Sequence, residues 1–282
     1  MQTVLRGKAA EVAIDPAGPT VIIGESINPT RRQKLSEALE KRDFAYVLQL
    51  ARRQIEDGAD VLDVNVGVPG LDEVSLLPQV VMALAEHVDA PLCLDSPNPQ
   101  ALAAGLAVAP GRPLVNSVNG EEAALSAILP LVKEHGVAVI GLTLDDDGIP
   151  MDPQKRLAIA GRIIERAARL GIPAEDVIID PLVMAVGADH DAARITLETI
   201  RLLRQTFNVN VALGASNVSF GLPDREVLNM AFLAMAIGAG ATCVITNPAR
   251  LASTVRAADL LAGRDEFATR YIAHFRARQK RQ

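Results

Sequence analysis

Along the chain, short runs of β-branched and other apolar residues alternate with longer stretches whose apolar residues recur at i, i+3 and i+4. The first pattern predicts buried strands and the second amphipathic helices. Strand-like runs fall at residues 21–24, 61–64, 92–94, 114–116, 137–143, 177–179, 209–213 and 243–246. Helical periodicity fills the intervals at 44–57, 76–87, 100–108, 121–134, 154–170, 192–206 and 225–237. Several helices run into a glycine just before the next strand, as in EDGADVLDV, KEHGVAVIGL, ARLGIPAEDVIID and AIGAGATCVIT. Glycine there can take the left-handed conformation that ends a helix.

Eight strands separated by helices predict an α/β chain of the (β/α)8 TIM-barrel type. An open doubly wound sheet is the structural alternative, but it usually carries a Gly-rich phosphate loop after its first strand, and GESINP is not GxGxxG. Residues 1–18 lack clear periodicity and form an N-terminal extension, expected to be a hairpin plugging the barrel bottom or a loose arm. Residues 19–282 are expected to be one barrel domain, since such barrels routinely reach this length. From Pro248 onward the chain should add the eighth helix and then fray through its Arg-rich end, FRARQKRQ.

Composition narrows the function. With 49% hydrophobic residues, no Trp and two Tyr, the chain can bury a large aliphatic core. Its net charge of −6, with Lys and Arg scattered, lacks the basic stripe of a nucleic-acid binder. No stretch is apolar enough to suggest a membrane span or a secretory leader, so a soluble, cytoplasmic protein is expected. Cys93 and Cys243 lie in apolar runs with no CxxC spacing and no neighbouring His, and read as buried core thiols rather than metal ligands. No metal site is expected.

Active sites of this fold lie at the C-terminal ends of the strands. The residues there are Glu25 and Asn28, Asp63 and Asn65, Asp95, Asn116 and Asn119, Thr143 and Asp145, Asp180, and Ser216, Asn217 and Ser219. At any single strand end an Asp or Asn is as readily a turn or helix cap. Their convergence on one mouth is harder to attribute to capping. Asp95 in LCLDS and Asp180 in VIIDP each follow a tightly apolar strand, where a carboxylate is costly unless hydrogen-bonded. A flat heterocycle with adjacent N–H donors, such as a pterin, would satisfy them, and its carbonyl and ring nitrogens suit Asn amides.

The segments VIIGESIN, GADVLDVNVG, LCLDS, LVNSVNG, VAVIGLTLDDDGIP, VIIDPL and LGASNVSFGLP, in this order, closely resemble the methyltetrahydrofolate:corrinoid methyltransferases of the pterin-binding barrel superfamily. Related barrels are the folate domain of cobalamin-dependent methionine synthase and dihydropteroate synthase. The resemblance runs over about residues 21–247. It implies that Asp95, Asn116 and Asp180 hold the pterin ring, that Asp63 and Asn65 belong to or support its pocket, and that Asn217 is the catalytic residue at N5 of the folate. It further implies methyl transfer between tetrahydrofolate and cobalamin (a corrinoid) carried on a separate corrinoid protein, and assembly as a homodimer. The chain lacks a DxHxxG stretch of the kind that holds a corrinoid. The N-terminal extension and the sequence SNVSFGLPDR depart from the acetogenic members, which leaves partner and direction open.

Two other readings stand beside this one. A dihydropteroate synthase-like enzyme must hold a pyrophosphate, yet no Lys lies between Arg156 and Gln279, and Arg225 and Arg250 are the cations near the last two strand ends. A non-catalytic pterin-binding protein would be expected to have lost Asn217 or the carboxylates, and all are present. The basic residues Arg31, Arg32 and Lys34 after the first strand could meet the folate's carboxylate tail or simply solvate a helix start. Of the four His, His190 alone lies where a mouth role is conceivable.

Overall fold

Seven parallel strands hydrogen-bond side by side in the order β8-β7-β6-β5-β4-β3-β9. They are β3 (Val21–Ile27), β4 (Val61–Asn65), β5 (Leu92–Asp95), β6 (Leu114–Asn119), β7 (Ala138–Leu142), β8 (Val177–Asp180) and β9 (Cys243–Thr246). The fold is that of a computed structural model, which describes residues 1–280. The seventh predicted strand, residues 209–213, is too irregular to count as one, yet it closes the ring. Ala212 N donates to Ile179 O at 3.0 Å on one side, and Ile245 N donates to Leu213 O at 2.9 Å on the other. The curled sheet is thus a TIM-type barrel with seven regular strands.

Helices cover its outside: α1 (Gln33–Glu40), α2 (Phe44–Glu56), α3 (Glu73–His87), α4 (Pro99–Leu106), α5 (Glu122–His135), α6 (Pro153–Arg169), α7 (Ala192–Thr206), α8 (Arg225–Ala239) and α9 (Pro248–Leu261). Their ends follow local chemistry. Asp72, Asn98, Asp152 and Asn247 each accept from a backbone N–H of the first turn. Gly136 closes α5 in the left-handed region at φ 61°. The apolar residues divide into an outer layer between strands and helices and an inner column of Val21, Ile23, Val61, Cys93, Leu114, Ala138, Ile140, Ile178, Ala212 and Cys243. Gly24 faces outward, where a Cβ would lie 2.6 Å from Gln54 Oε1, so α2 can pack close against β3.

The N-terminal extension forms an antiparallel hairpin, β1 (Thr3–Arg6) with β2 (Glu11–Ile14). Its Leu5 and Ile14 are fully buried in the inner column and fill the lower end of the barrel. Asn210 donates to Ile14 O and to Thr3 Oγ1, each at 2.9 Å, which ties the hairpin to the irregular segment 209–213. Arg112 adds a hydrogen bond to Val4 O at 2.7 Å and an ion pair with Asp176 at 2.5 Å.

The C-terminus departs from the expected frayed tail. Residues Thr269–Gln279 form α10, which packs on α9 through Ser253 and His274 at 3.0 Å. Arg270 reaches Asp60 at 3.1 Å, and Asp265 accepts from the Arg270 and Tyr271 N–H groups. Sequence periodicity is weak here because α10 buries no residue fully; side-chain caps and ion pairs hold it. The last two residues of the expected tail lie outside the described residues. Among the described residues no helix is long and apolar enough to cross a membrane.

Filling the barrel bottom should contribute measurably to stability. Ile14→Ala is expected to cost about 2–5 kcal/mol in urea unfolding, and Val12→Ala, half-buried, clearly less. Equal costs would mean that the hairpin is not a structural plug.

Candidate functional site

Strand alternation determines which side chains reach the barrel mouth. In β4, Val61 points into the inner column and Leu62 outward, so Asp63 and Asn65 point inward again. The same count turns Asp95, Asn116 and Asp180 inward above Cys93, Leu114 and Ile178. The parallel register then sets Asp63 beside Cys93, Asn65 beside Asp95, and Asp95 beside Asn116. Four predicted residues consequently interlock: Asn65 Nδ2 donates to Asp95 Oδ2 at 3.0 Å, and Asn116 Nδ2 donates to Asp63 Oδ1 at 3.2 Å. Asn65 also accepts from Gly67 N at 2.8 Å, fixing the amide orientation.

The acids of this layer are pushed toward their neutral forms. Burial, then the nearby Asp95 charge, raises the pKa of Asp63 well above the usual range, and the side chains of Cys93 and Asn116 oppose the shift. Burial likewise raises Asp95, against the amide of Asn65 and with the help of Glu73. Burial drives Asp180, only 6% exposed, to about 7, opposed by the Leu182 N–H and by the charge of Arg156. The Leu182 N–H donates to Asp180 Oδ1 at 2.7 Å.

A fully buried arginine shapes the loop beyond Asp180. Arg156 donates from Nη1 to Pro181 O at 2.6 Å and Leu182 O at 2.8 Å, and from Nε to Pro150 O at 2.7 Å. Leu182 is held at φ 60°, a conformation unfavourable to a leucine, by this clamp and by the Asp180 contact. Sequence reasoning missed Arg156, although the signal was there: it lies on the apolar stripe of α6 with Ile159, Ala160, Ile163 and Ala167.

A cavity of about 680 Å³ opens over β3, the 3-10 turn Ala215–Ser219 and the starts of α8 and α9. Asn217 lines it, with Glu25, Ser216, Phe220 and the arginines Arg31, Arg32, Arg225 and Arg250. Asn217 is exposed, and its side chain has no hydrogen-bond partner among the described residues. The amide–carboxylate layer is not part of this cavity's lining; Glu25 is the link, facing Ser216 in the cavity and acting on Asp63 below. Arg225 is already committed, to Ser216 O at 2.9 Å, to Ser219 Oγ at 3.0 Å and to the Phe220 ring at 4.6 Å.

Other strand-end residues do play capping or turn roles. Asn28 accepts from Thr30 N, Asn119 from Glu121 N, and Asp145 pairs with Arg162 at 2.6 Å. Thr143 is buried against Asp180 O. Lys34 stacks on Tyr46 instead of lining the cavity, whereas Arg31 and Arg32 do line it. His190, its side chain 94% exposed, lies 3.6 Å from Asp191 and does not line the cavity. Cys93 and Cys243 are both buried, as expected, but Cys93 also abuts the Asp63 carboxylate. Among the described residues no group of three or more His, Cys, Asp or Glu is arranged to hold a metal ion.

The high Asp180 pKa has a signed consequence. An unfolded aspartate titrates near ~3.9, so between there and about 7 the folded chain binds the extra proton and stability declines as pH rises, by up to roughly 4 kcal/mol. Asp180→Asn removes this titration. The variant is expected to gain stability over wild type at pH 8 compared with pH 5 in urea unfolding; the opposite trend would show that Asp180 is not a strained carboxylate.

The profile of the family described as "pterin binding enzyme" matches residues 24–247. The chain is 30% identical, over 91% of its length and 96% of the relative's, to the methylcorrinoid:tetrahydrofolate methyltransferase of Eubacterium limosum. It is 34% identical over 82% of its length to methionine synthase of Mycobacterium tuberculosis, of which it spans 20%. Among solved structures, dihydropteroate synthase from Yersinia pestis with a pterine–sulfa conjugate superposes with a TM-score of 0.72 at 18% identity, covering 93% of this chain and 99% of that one. The Coxiella burnetii dihydropteroate synthase in complex with pteroic acid gives 0.68 at 16% identity, covering 92% and 98%.

Proposed function

Because this chain belongs to the pterin-binding enzyme family and is a methyltransferase by its kinship, full-length to the Eubacterium limosum enzyme and partial to methionine synthase, we propose that it moves a methyl group between N5 of tetrahydrofolate and the cobalt of a corrinoid carried on a separate protein. The observation that carries the reading is the unpartnered Asn217 amide, in a cavity joined through Glu25 to the inward acid–amide layer. The resemblance to the Eubacterium limosum enzyme, whose name gives methylcorrinoid as co-substrate and whose length this chain nearly matches, supports a corrinoid held elsewhere. A cytoplasmic homodimer is part of the proposal, and sedimentation of the pure protein gives its mass.

In this reading Asp180 takes the 2-amino and ring N–H edge of the pterin, which supplies two parallel hydrogen bonds to one carboxylate. A carboxylate with a pKa near 7 and a single N–H contact is poised to accept such an edge. Asp95 and Asn116 hold the remaining ring heteroatoms, with Asp63 and Asn65 fixing both. Asn217 serves N5. The methyl group sits on a poor leaving nitrogen unless positive charge develops there, and an amide that accepts from protonated N5 stabilises that charge in the transition state.

Asn217→Ala is expected to leave folate affinity within about tenfold while lowering methyl transfer strongly, because its hydrogen bond matters most in the transition state. Unchanged turnover would remove Asn217 from the mechanism. The direct test of the reading follows the visible spectrum of anaerobic cob(I)alamin with methyltetrahydrofolate, and of methylcobalamin with tetrahydrofolate. Formation or loss of methylcobalamin supports it, and the two rates give the accessible direction. Folate binding without either reaction, together with pteroate synthesis from a pterin pyrophosphate, would replace it with the synthase reading.

A further inference from the structure

Methyl transfer at N5 exchanges a methyl group for a proton. When the N5–CH3 bond breaks toward the cobalt(I) nucleophile, the electron pair left on nitrogen takes up a proton; in the reverse direction N5 attacks the methyl group and the N5–H proton must leave. The amide of Asn217 can accept a hydrogen bond but cannot store that proton. Resting on the methyltransferase reading above, we propose that Glu25, acting through the hydroxyl of Ser216, holds the proton exchanged at N5.

Geometry singles out Glu25. Val21 and Ile23 of β3 point into the inner column, so Glu25, two residues on, points inward at the mouth. Glu25, Ser216 and Asn217 line one cavity, and Ser216 and Asn217 are consecutive on the same 3-10 turn. The Ser216 side chain faces the Glu25 carboxylate, and Arg225 anchors that turn by its bond to Ser216 O at 2.9 Å. The other acids are committed elsewhere. Asp63 accepts from Asn116, Asp95 from Asn65 and Asp180 from Leu182 N. Glu226, on the cavity wall, is half exposed with Arg250 3.8 Å away.

The surroundings set its proton affinity. Burial raises the pKa of Glu25, while Arg32 from the start of α1, Ser216 from the turn and Arg225 from the start of α8 hold it down. Asp63 faces it from the neighbouring strand, and Arg31, Glu226 and Arg250 complete the charged wall. A protonated Glu25 gives its proton to N5 as the methyl leaves, and its carboxylate is reprotonated from solvent through the open cavity. In the reverse direction the carboxylate takes the N5–H proton.

The test compares wild type with Glu25→Gln, which keeps the shape and cannot exchange a proton. Single-turnover methyl transfer from methyltetrahydrofolate to cob(I)alamin is followed as a function of pH, with folate affinity measured by calorimetry. Expected is a loss of roughly a hundredfold in rate with affinity nearly unchanged, and loss of the limb on which the wild-type rate falls as pH rises. A limb belonging to N5 itself is common to both proteins, and Asn217→Ala should keep the limb that Glu25→Gln loses. Should Glu25→Gln not fold, Ser216→Ala breaks the same relay and is expected to give the same loss. A slow variant with the wild-type pH profile would make Glu25 structural only, and an unchanged rate would overturn the proposal outright. If wild type itself transfers no methyl group, the methyltransferase reading fails and Glu25 with it; an active wild type beside an indifferent variant removes Glu25 alone.

Discussion

In a closed parallel barrel every second residue of a strand must point into a space too narrow for water, and at one end of this barrel several of those residues are carboxylates and amides. Ionised carboxylates there are costly unless other groups supply hydrogen bonds. The chain meets the constraint by crossing its strands: the amide of one serves the carboxylate of another, Asn65 with Asp95 and Asn116 with Asp63. Most of what the mouth can do follows from that interlock. It fixes amide orientations and offsets part of the burial that pushes Asp63 and Asp95 toward their neutral forms, while Asp180, outside the interlock, keeps a single backbone donor.

A mouth arranged in this way trades stability for readiness. Asp180 is held near neutrality by burial, and the loop beyond it keeps Leu182 in a conformation it does not favour, clamped by the buried Arg156. Both cost the folded chain stability, as strained and buried polar groups at functional sites do. Opposite them, Asn217 and the arginine-lined cavity form the wetter half of the same mouth. One half is dry and acid-rich, suited to a flat donor edge, and the other is open and basic. Their junction is Glu25.

Much of this was legible in the sequence, for physical reasons. Alternation within β4, β5 and β8 made Asp63, Asn65, Asp95 and Asp180 readable as inward-facing strand ends, and the resemblance added Asn217. Pairing was not legible, because the register between strands, and hence Asn116 reaching Asp63 across β5, depends on how the barrel closes. Strand 209–213 looked regular because its apolar residues alternate, yet side-chain and backbone bonds from Asn210 and Thr242 bend it out of a continuous ladder. The role of Arg156 is not legible in the sequence, because a charged residue on an apolar stripe reads as an interruption, whereas its head group is what the neighbouring loop requires. Helix α10 escaped because its stabilisation is polar, so no apolar period announces it.

The hairpin that fills the lower barrel gives the vessel one neck. With Leu5 and Ile14 seated in the inner column, nothing can be delivered from beneath, so in the proposed reaction the small substrate and the bulky protein that bears the corrinoid must use the same doorway. A closed floor thereby becomes a rule of traffic: in the proposed reaction both reactants approach through one opening and meet there at the moment of transfer.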